Sequence, residues 1–211
     1  MRFDELLILI GDEPVFSSSL LDVVGVSQRQ ARLQLVRWVN AGKLIRLRRG
    51  LYALNRPFRK IESHPFLVAN RLRKASYVSL QSALSHYGMI PEYVPVVVSV
   101  TTGRPEEVRT GFGAYTFHHV RKALFRGFLN VTVAPGQTAF LATPEKALLD
   151  LIYLAPGGDQ AGYVDELRLQ NESALSRQAL KETAKLFDNP RIDRAVERIL
   201  AWMAAEKEQS P

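Results

Sequence analysis

The residues of this sequence that are best placed to do chemistry are arginines and lysines with no carboxylate among them. The segment between Val23 and Ile61 contains ten basic residues and no Asp or Glu. Like charges repel one another, and interspersed carboxylates usually offset that cost, so the missing acids indicate that a polyanion supplies the neutralisation. A solvated basic face explains most charge runs, but the pattern beneath this one favours DNA. The ten residues are Arg29, Arg32, Arg37, Lys43, Arg46, Arg48, Arg49, Arg56, Arg59 and Lys60.

Helical spacing predicts that part of this charge lies on the outer face of one helix. The helix begins at Gln28, after Ser27 as N-cap, and ends at Ala41–Gly42 with Gly as the left-handed cap. At 100° per residue, its apolar residues fall within one arc that faces the core, and Arg32 lies at the edge of that arc. The other side carries Arg and Gln, which suit the base edges of guanine and adenine. The core arc is Ala31, Leu35, Trp38 and Val39, and the outer face is Arg29, Gln30, Leu33, Gln34 and Arg37.

Two short strands around an Arg-Arg-Gly turn follow this helix. Leu44 and Leu54 are the expected anchors of the hairpin, while Arg48 and Arg49 are expected at its tip, near a phosphate backbone or a minor groove. Two helices precede the recognition helix, one at Leu6–Ile10 and a short one after Ser17–Ser19. This order predicts a winged helix-turn-helix over residues 1–60.

A winged helix that makes only protein contacts would explain the fold but not the missing acids, so we interpret the domain as DNA-binding. The predicted DNA-binding residues are Ser27, Gln28, Arg29, Gln30, Arg32, Gln34, Arg37, Arg46, Arg48 and Arg49.

Charge divides the chain into two parts. Residues 1–60 hold eleven basic and five acidic side chains, a net +6, whereas residues 61–211 hold seventeen and sixteen, a net +1. The asymmetry indicates a nucleic-acid module joined to a near-neutral domain. We therefore expect an α/β chain in which a mixed α/β domain over residues 61–211 ends in helices. Its expected strands are 96–100, 115–120, 129–133 and 139–141, and its expected helices are 65–75, 79–87, 145–154 and three pieces after 160.

The sequence shows no pattern typical of an enzyme, a metal site or a cofactor site. Cysteine is absent, which excludes disulfides and thiolate ligands. Adjacent His118 and His119 would point to opposite faces of a strand. Glu145 is interpreted as a first-turn residue that favours the helix dipole, and Asp150 as a buried, hydrogen-bonded carboxylate. No apolar run is long enough to span a bilayer, and we expect a cytoplasmic protein.

Three segments carry a likeness to a known family. Ser27–Leu54 ends in Arg-Arg-Gly-Leu-Tyr-Ala-Leu, Tyr77–Pro91 reads Tyr-Val-Ser-Leu-Gln-Ser-Ala-Leu-Ser-His-Tyr-Gly-Met-Ile-Pro, and Ala142–Tyr153 reads Ala-Thr-Pro-Glu-Lys-Ala-Leu-Leu-Asp-Leu-Ile-Tyr. In this order and spacing, the chain resembles the AbiEi-type antitoxins of bacterial AbiE (type IV) toxin–antitoxin systems. The likeness extends to about residue 155, and more loosely through the terminal helices.

The resemblance implies a repressor of its own operon, with an N-terminal DNA-binding domain and a C-terminal domain needed for antitoxicity. The implied partners are operator DNA at its own promoter and an AbiEii-like nucleotidyltransferase toxin, whether bound directly or counteracted indirectly. Some relatives of this architecture carry a nuclease-like domain, which needs Glu-x-Lys on a strand, whereas Glu145-Lys146 are adjacent and open a helix. Two alternatives remain: an ordinary winged-helix regulator whose C-terminal domain binds a ligand or dimerises, and a DNA-acting enzyme with an unrecognised site.

Overall fold

The structure is a computed structural model that describes residues 1–209, apart from the side chains of Ala161 and of residues 206–209. Its N-terminal unit packs two α-helices and a 3₁₀ helix beside a three-stranded sheet of strand order β1-β3-β2. The elements are α1 (Phe3–Ile10), β1 (Phe16–Ser17), the 3₁₀ helix Ser18–Val24, α2 (Gln28–Asn40), β2 (Leu44–Arg48) and β3 (Leu51–Leu54).

The second unit is built on a mixed six-stranded sheet of order β6-β7-β5-β4-β9-β8, in which the β4–β9 and β5–β7 pairs are parallel. Helices pack on the sheet and on one another. The elements are α3 (Pro65–Leu72), β4 (Ser76–Val78), α4 (Leu80–His86), β5 (Val96–Thr101), β6 (Glu106–Thr110), β7 (Gly113–His119), β8 (Phe128–Ala134), β9 (Gln137–Ala142), α5 (Pro144–Leu154), α6 (Ala161–Glu166), α7 (Arg177–Ala184) and α8 (Pro190–Gln209).

Local sequence sets the ends of the helix that carries the basic face. The Ser27 hydroxyl accepts a hydrogen bond from the backbone N–H of Gln30 at 3.4 Å, so α2 begins where the serine cap predicts. At the other end, Gly42 takes φ +68°. The N–H of Lys43 bonds to the carbonyl of Trp38 at 2.9 Å, and that of Gly42 to Val39 at 3.0 Å. This is the Schellman pattern, in which glycine reverses the chain into the hairpin.

The two units share a packed boundary at the hairpin. The smaller core fills the N-terminal unit and includes Leu44, Tyr52 and Leu54. Other hairpin side chains, Leu47 and Leu51 among them, turn the opposite way and join the larger core of the second unit. The hairpin therefore stabilises both units, because its two faces are buried in different cores.

The expected mixture of helices and strands is confirmed as a mixed α/β fold, with four differences in its elements. The short second helix is a 3₁₀ helix rather than an α-helix. Strands β1, β4 and β6 were not predicted, since β1 has two residues, β4 has three, and β6 is a polar edge strand of sequence EEVRT. Within residues 1–209, every helix is too short or too polar to cross a lipid bilayer.

Candidate nucleic-acid interface

Helix α2 presents a polar, basic face to solvent. Gln28, Arg29, Gln30, Arg32 and Arg37 are all exposed, and so is the capping residue Ser27 at the start of the helix. Two apolar residues, Leu33 at 53% and Val36 at 47% exposure, lie among them. The predicted outer face is therefore present as a surface that carries both guanidinium groups and apolar patches, which together suit phosphates, base edges and thymine methyl groups.

Gln34 departs from the predicted outer face. Its side chain is half-buried, and its Oε1 is buried with no hydrogen-bond partner within residues 1–209. Gln34 lies only 40° from Trp38 around the helix at 100° per residue, which places it beside the core arc rather than opposite it. The prediction that Gln34 lies on the outward face is wrong, whereas Gln30 is exposed as predicted.

The inner face of α2 rests on the smaller core. Ala31 and Leu35 are buried, and Trp38 and Val39 pack against the same cluster while partly exposed. The Trp38 ring meets Phe3 edge-on, with centroids 5.6 Å apart. Lys43 Nζ lies 4.6 Å from the centre of that Phe3 ring, so a cation–π contact holds this lysine near the end of the helix. Trp38 is a packing residue of the smaller core, as predicted.

The hairpin carries two exposed arginines and one arginine that contacts the second unit. Arg46 and Arg49 are exposed. Arg48 instead turns toward the second unit, where its Nη1 donates to the carbonyl of Leu72 and its Nη2 lies 3.7 Å from the carboxylate of Glu106. The expectation that Arg48 sits at an exposed tip is wrong, because a carboxylate from strand β6, distant in sequence, captures it.

The end of the basic stretch is also neutralised within the molecule. Glu62 accepts hydrogen bonds from Arg56 and Arg59, and these two guanidinium groups hold the pKa of its carboxyl below its usual value. Lys60 lies 3.4 Å from a carboxylate oxygen of Asp12. The acid-free segment is thus compensated in part by acids on either side of it. The arginines of this segment that form no salt bridge within the described residues are Arg29, Arg32, Arg37, Arg46 and Arg49.

A second cluster, buried in the large unit, contains ionisable groups whose pKa values are shifted by burial. Asp150 accepts hydrogen bonds from the hydroxyls of Tyr77 at 2.9 Å and Ser79 at 2.8 Å, and it pairs with Lys146 one turn earlier on α5. Lys146 Nζ also donates to the Tyr77 hydroxyl at 2.8 Å. Burial raises the pKa of Asp150 and lowers that of Lys146, and each shift is opposed by the partner's charge. Burial also raises the pKa of Tyr77.

This cluster is a structural network. Both Lys146 and Asp150 have no exposed side-chain surface, and each of the polar atoms just described has at least one partner within the cluster. The prediction of a buried, hydrogen-bonded Asp150 is confirmed. Lys146, Tyr77 and Ser79 were missed, although the Lys-x-x-x-Asp spacing on one helix face was the available signal.

The remaining candidate residues have local structural partners. Glu145, interpreted as favouring the helix dipole, also accepts a hydrogen bond from the backbone N–H of Ser176 at 2.8 Å and so ties α5 to α7. His119 contacts the carbonyl of Gly103 at 2.9 Å. Within residues 1–209, no three His, Asp or Glu side chains come together in a way that would hold a metal ion.

Comparisons with known proteins add information on the fold. Neither models of known protein families nor curated protein sequences match this chain. Among solved structures, it is similar to the crystal structure of the RV2827C protein from Mycobacterium tuberculosis, with 14% identity and a TM-score of 0.52. The match covers 95% of this chain and 80% of that one. At this level of identity the likeness shows the mixed α/β fold alone.

Proposed function

We propose that this protein is an antitoxin and transcriptional autorepressor of a toxin–antitoxin operon, as its resemblance to AbiEi-type antitoxins implies. In this proposal residues 1–60 act as a winged helix-turn-helix, with α2 as the recognition helix and the β2–β3 hairpin as the wing. The functional partner is an AbiEii-like nucleotidyltransferase toxin, and the DNA partner is the protein's own promoter. The protein itself is proposed not to be an enzyme.

The observation that carries the DNA-binding part is the surface formed by α2 and the hairpin. Five arginines of this surface (Arg29, Arg32, Arg37, Arg46 and Arg49) are exposed and form no salt bridge within the described residues, and Gln30 stands among them. An ordered, uncompensated basic surface of this kind fits a phosphate backbone, and its Arg and Gln side chains have the donors and acceptors to read guanine and adenine in a major groove.

Binding of the full-length protein to its own promoter fragment, measured against salt, tests this part. With roughly four to six phosphate contacts, log K should fall against log salt with a slope of about −4 to −5. Arg29→Ala and Arg37→Ala should each weaken binding and reduce the slope by about one. Arg177→Ala, at an exposed arginine on α7, is the matched control. It should leave the affinity for DNA and the salt slope unchanged. Salt-insensitive binding, or no binding at low salt, contradicts the proposal.

Growth of cells that express the neighbouring toxin gene tests the antitoxin part. Because the hairpin belongs to both cores, point variants are a cleaner test than truncation at residue 60. An Arg29/Arg37/Arg49 triple alanine variant should lose repression and still protect cells from the toxin when expressed from an unrelated promoter. Loss of protection by this variant, with its fold intact, would mean that repression is the whole function.

A second candidate is an ordinary winged-helix regulator with a ligand-binding second domain, and one pocket favours it. A cavity of about 510 Å³ lies beside β5 and α5, lined mainly by apolar residues with Gln81, Thr116 and His118 among them. Its wall includes Leu80 at φ +51°, a left-handed conformation that is costly for a leucine, and strained residues of this kind cluster at functional sites. A regulator of this kind would repress its promoter without protecting cells from any neighbouring toxin.

A further inference from the structure

A deep groove runs between the hairpin and the second unit, on the side where Arg48 crosses. It has a volume of about 840 Å³, within the range of small-molecule sites. Three parts of the structure line it. They are the start of the 3₁₀ helix together with the turn of the hairpin, the end of α3, and one face of strands β8 and β9. Five basic residues and no acidic residue line it, namely Arg48, Arg49, Arg71, Arg73 and Lys74.

Two of these cations are fixed in place before any ligand arrives. Glu106 lies 3.7 Å from Arg48 through one carboxylate oxygen and 3.2 Å from Arg73 through the other. Arg48 also donates to the carbonyl of Leu72, and Arg73 to the carbonyl of Arg104 at 3.2 Å. Arg48 and Arg73 therefore form a positively charged wall that the protein itself holds in place, beside the exposed Arg49, Arg71 and Lys74.

The charge in the groove exceeds what the protein neutralises. Glu106 forms ion pairs with both Arg48 and Arg73, and Glu13 lies 3.6 Å from Arg71. Five cations against two carboxylates leave three positive charges uncompensated. Arg49 and Lys74 are exposed and form no salt bridge within the described part of the chain.

Neutral polar and aromatic groups complete the lining. Ser18, Asn130 and Thr138 add hydroxyl and amide groups, and Phe140 lies on the β8–β9 wall with 45% of its surface exposed. Phe140 and Asn130 are cross-strand partners, so their side chains share one face of the sheet. An exposed ring beside a cluster of cations suits a ligand that has an aromatic base at one end and phosphates at the other.

The backbone of the α3 wall is held in a costly conformation. Ala75 takes φ +51° although it is not glycine. Its carbonyl accepts a hydrogen bond from the Thr101 hydroxyl at 3.0 Å, and the neighbouring Ser76 hydroxyl donates to the carbonyl of Arg73 at 2.6 Å. Strained backbone that is held by surrounding hydrogen bonds is common at ligand sites, where it keeps binding groups in position.

We propose that this groove binds a nucleoside triphosphate, with the phosphates among Arg49, Arg71 and Lys74 and the base against Phe140. A concave site of this size admits a nucleotide, whereas a DNA duplex is read from exposed, projecting elements. Since Arg49 belongs to both surfaces, the bound nucleotide competes with operator DNA for it and weakens repression. That last consequence rests on the proposed repressor function, and the binding itself does not.

Calorimetric titration of the full-length protein with ATP, GTP and inorganic tripolyphosphate, in the absence of DNA, tests the site. All three should bind at low salt. Lys74→Ala should weaken all of them about tenfold through loss of one charge-assisted contact. Phe140→Ser should weaken the nucleotides and leave tripolyphosphate unchanged. Lys181→Ala, at an exposed lysine of α7 outside the groove, is the control and should bind like the parent protein.

Several outcomes overturn the proposal. It fails if none of the three probes binds, or if Lys74→Ala and Arg71→Ala bind them as the parent does. If nucleotides do not bind but Lys74→Ala weakens operator binding, the groove belongs to the DNA interface. Unfolding curves of each variant check that it folds, which is expected because Lys74 and Phe140 are exposed. Nucleotide binding without operator binding would leave the site standing while the repressor function fails.

Discussion

The guanidinium of Arg48 lies 3.7 Å from the carboxylate of Glu106, which ties the hairpin to an edge strand of the large sheet. The same arginine donates to the carbonyl of Leu72, and the same glutamate holds Arg73. A residue at the turn of the basic hairpin is therefore part of the boundary between the two units. Its neighbour Arg49 is exposed, so two adjacent arginines have different surroundings.

We predict that Arg48→Ala lowers the free energy of unfolding by about 1–2 kcal/mol, because it removes a half-exposed ion pair and the donor to the Leu72 carbonyl. Arg49→Ala, the matched control, should leave the unfolding free energy unchanged and weaken DNA binding. Urea unfolding of both variants measures the difference. If Arg48→Ala keeps the parent stability and loses DNA binding as Arg49→Ala does, Arg48 contacts DNA rather than Glu106 in solution.

Substitutions of the two glutamines of α2 should also have different effects on DNA binding. Gln30 is exposed, whereas Gln34 has a buried carbonyl oxygen. We predict that Gln30→Ala changes preference among operator variants by about 1–3 kcal/mol at one base pair, since a glutamine that reads a base edge is lost. Gln34→Ala should leave the preference unchanged. Competition binding with single-base operator variants distinguishes the two, and an altered base preference in Gln34→Ala would contradict the half-buried placement.

Helices with strong local signals were predictable from the sequence. Helix α2 has a capping serine, a periodic apolar arc and a terminal glycine, and α5 has Thr143 followed by Pro144 at its first position. Strands β4 and β6 lacked such signals. A three-residue strand becomes a strand only through its neighbours: Tyr77 pairs with Val100 on one side, and Val78 with Leu141 on the other. Those partners are distant in sequence, and no local pattern encodes them.

For the candidate site, residue type was predictable and orientation only in part. Periodicity placed Arg29 and Gln30 on the outer face correctly because that depends on the helix alone. The contacts of Arg48 and Arg56 depend on two acids outside the basic segment. Glu106 is distant in sequence and meets Arg48 only in the folded chain, whereas Glu62 directly follows the segment. The basic surface without internal salt bridges therefore contains fewer residues than the acid-free segment between Val23 and Ile61 suggested.

Removal of one partner of the Lys146–Asp150 pair should strongly destabilise the second unit. Both side chains are fully buried, so removing one partner leaves the other charge uncompensated. We predict that Asp150→Ala and Lys146→Met each cost about 3–5 kcal/mol in urea unfolding, and that the double variant costs less than the sum of the two. Glu197→Gln, an exposed position on α8, should change stability little. Additive effects of the two substitutions would contradict direct coupling.

The terminal helix should show the clearest dependence on pH. Asp159, in the loop after α5, accepts hydrogen bonds from Arg194 at 2.6 Å and Arg191 at 3.0 Å. These two guanidinium groups lower the pKa of the Asp159 carboxyl from 3.8 to about 2. Because the folded pKa lies below the unfolded one, the contact stabilises the fold at pH above 3.8, and that contribution is lost as pH falls through about 2.

We therefore predict that Asp159→Asn is less stable than the parent protein at pH 6, and that the difference shrinks steadily as the pH is lowered from 4 toward 2. Arg194→Gln removes the shorter of the two hydrogen bonds, so it should shift the midpoint of this loss upward, toward the ordinary value of an aspartate. Urea unfolding at a series of pH values measures both effects, and the carboxyl carbon shift of Asp159 in NMR follows its protonation directly. A stability difference between parent and Asp159→Asn that stays constant from pH 6 to 2 would show that the packing of α8 against this loop does not depend on the charge of Asp159.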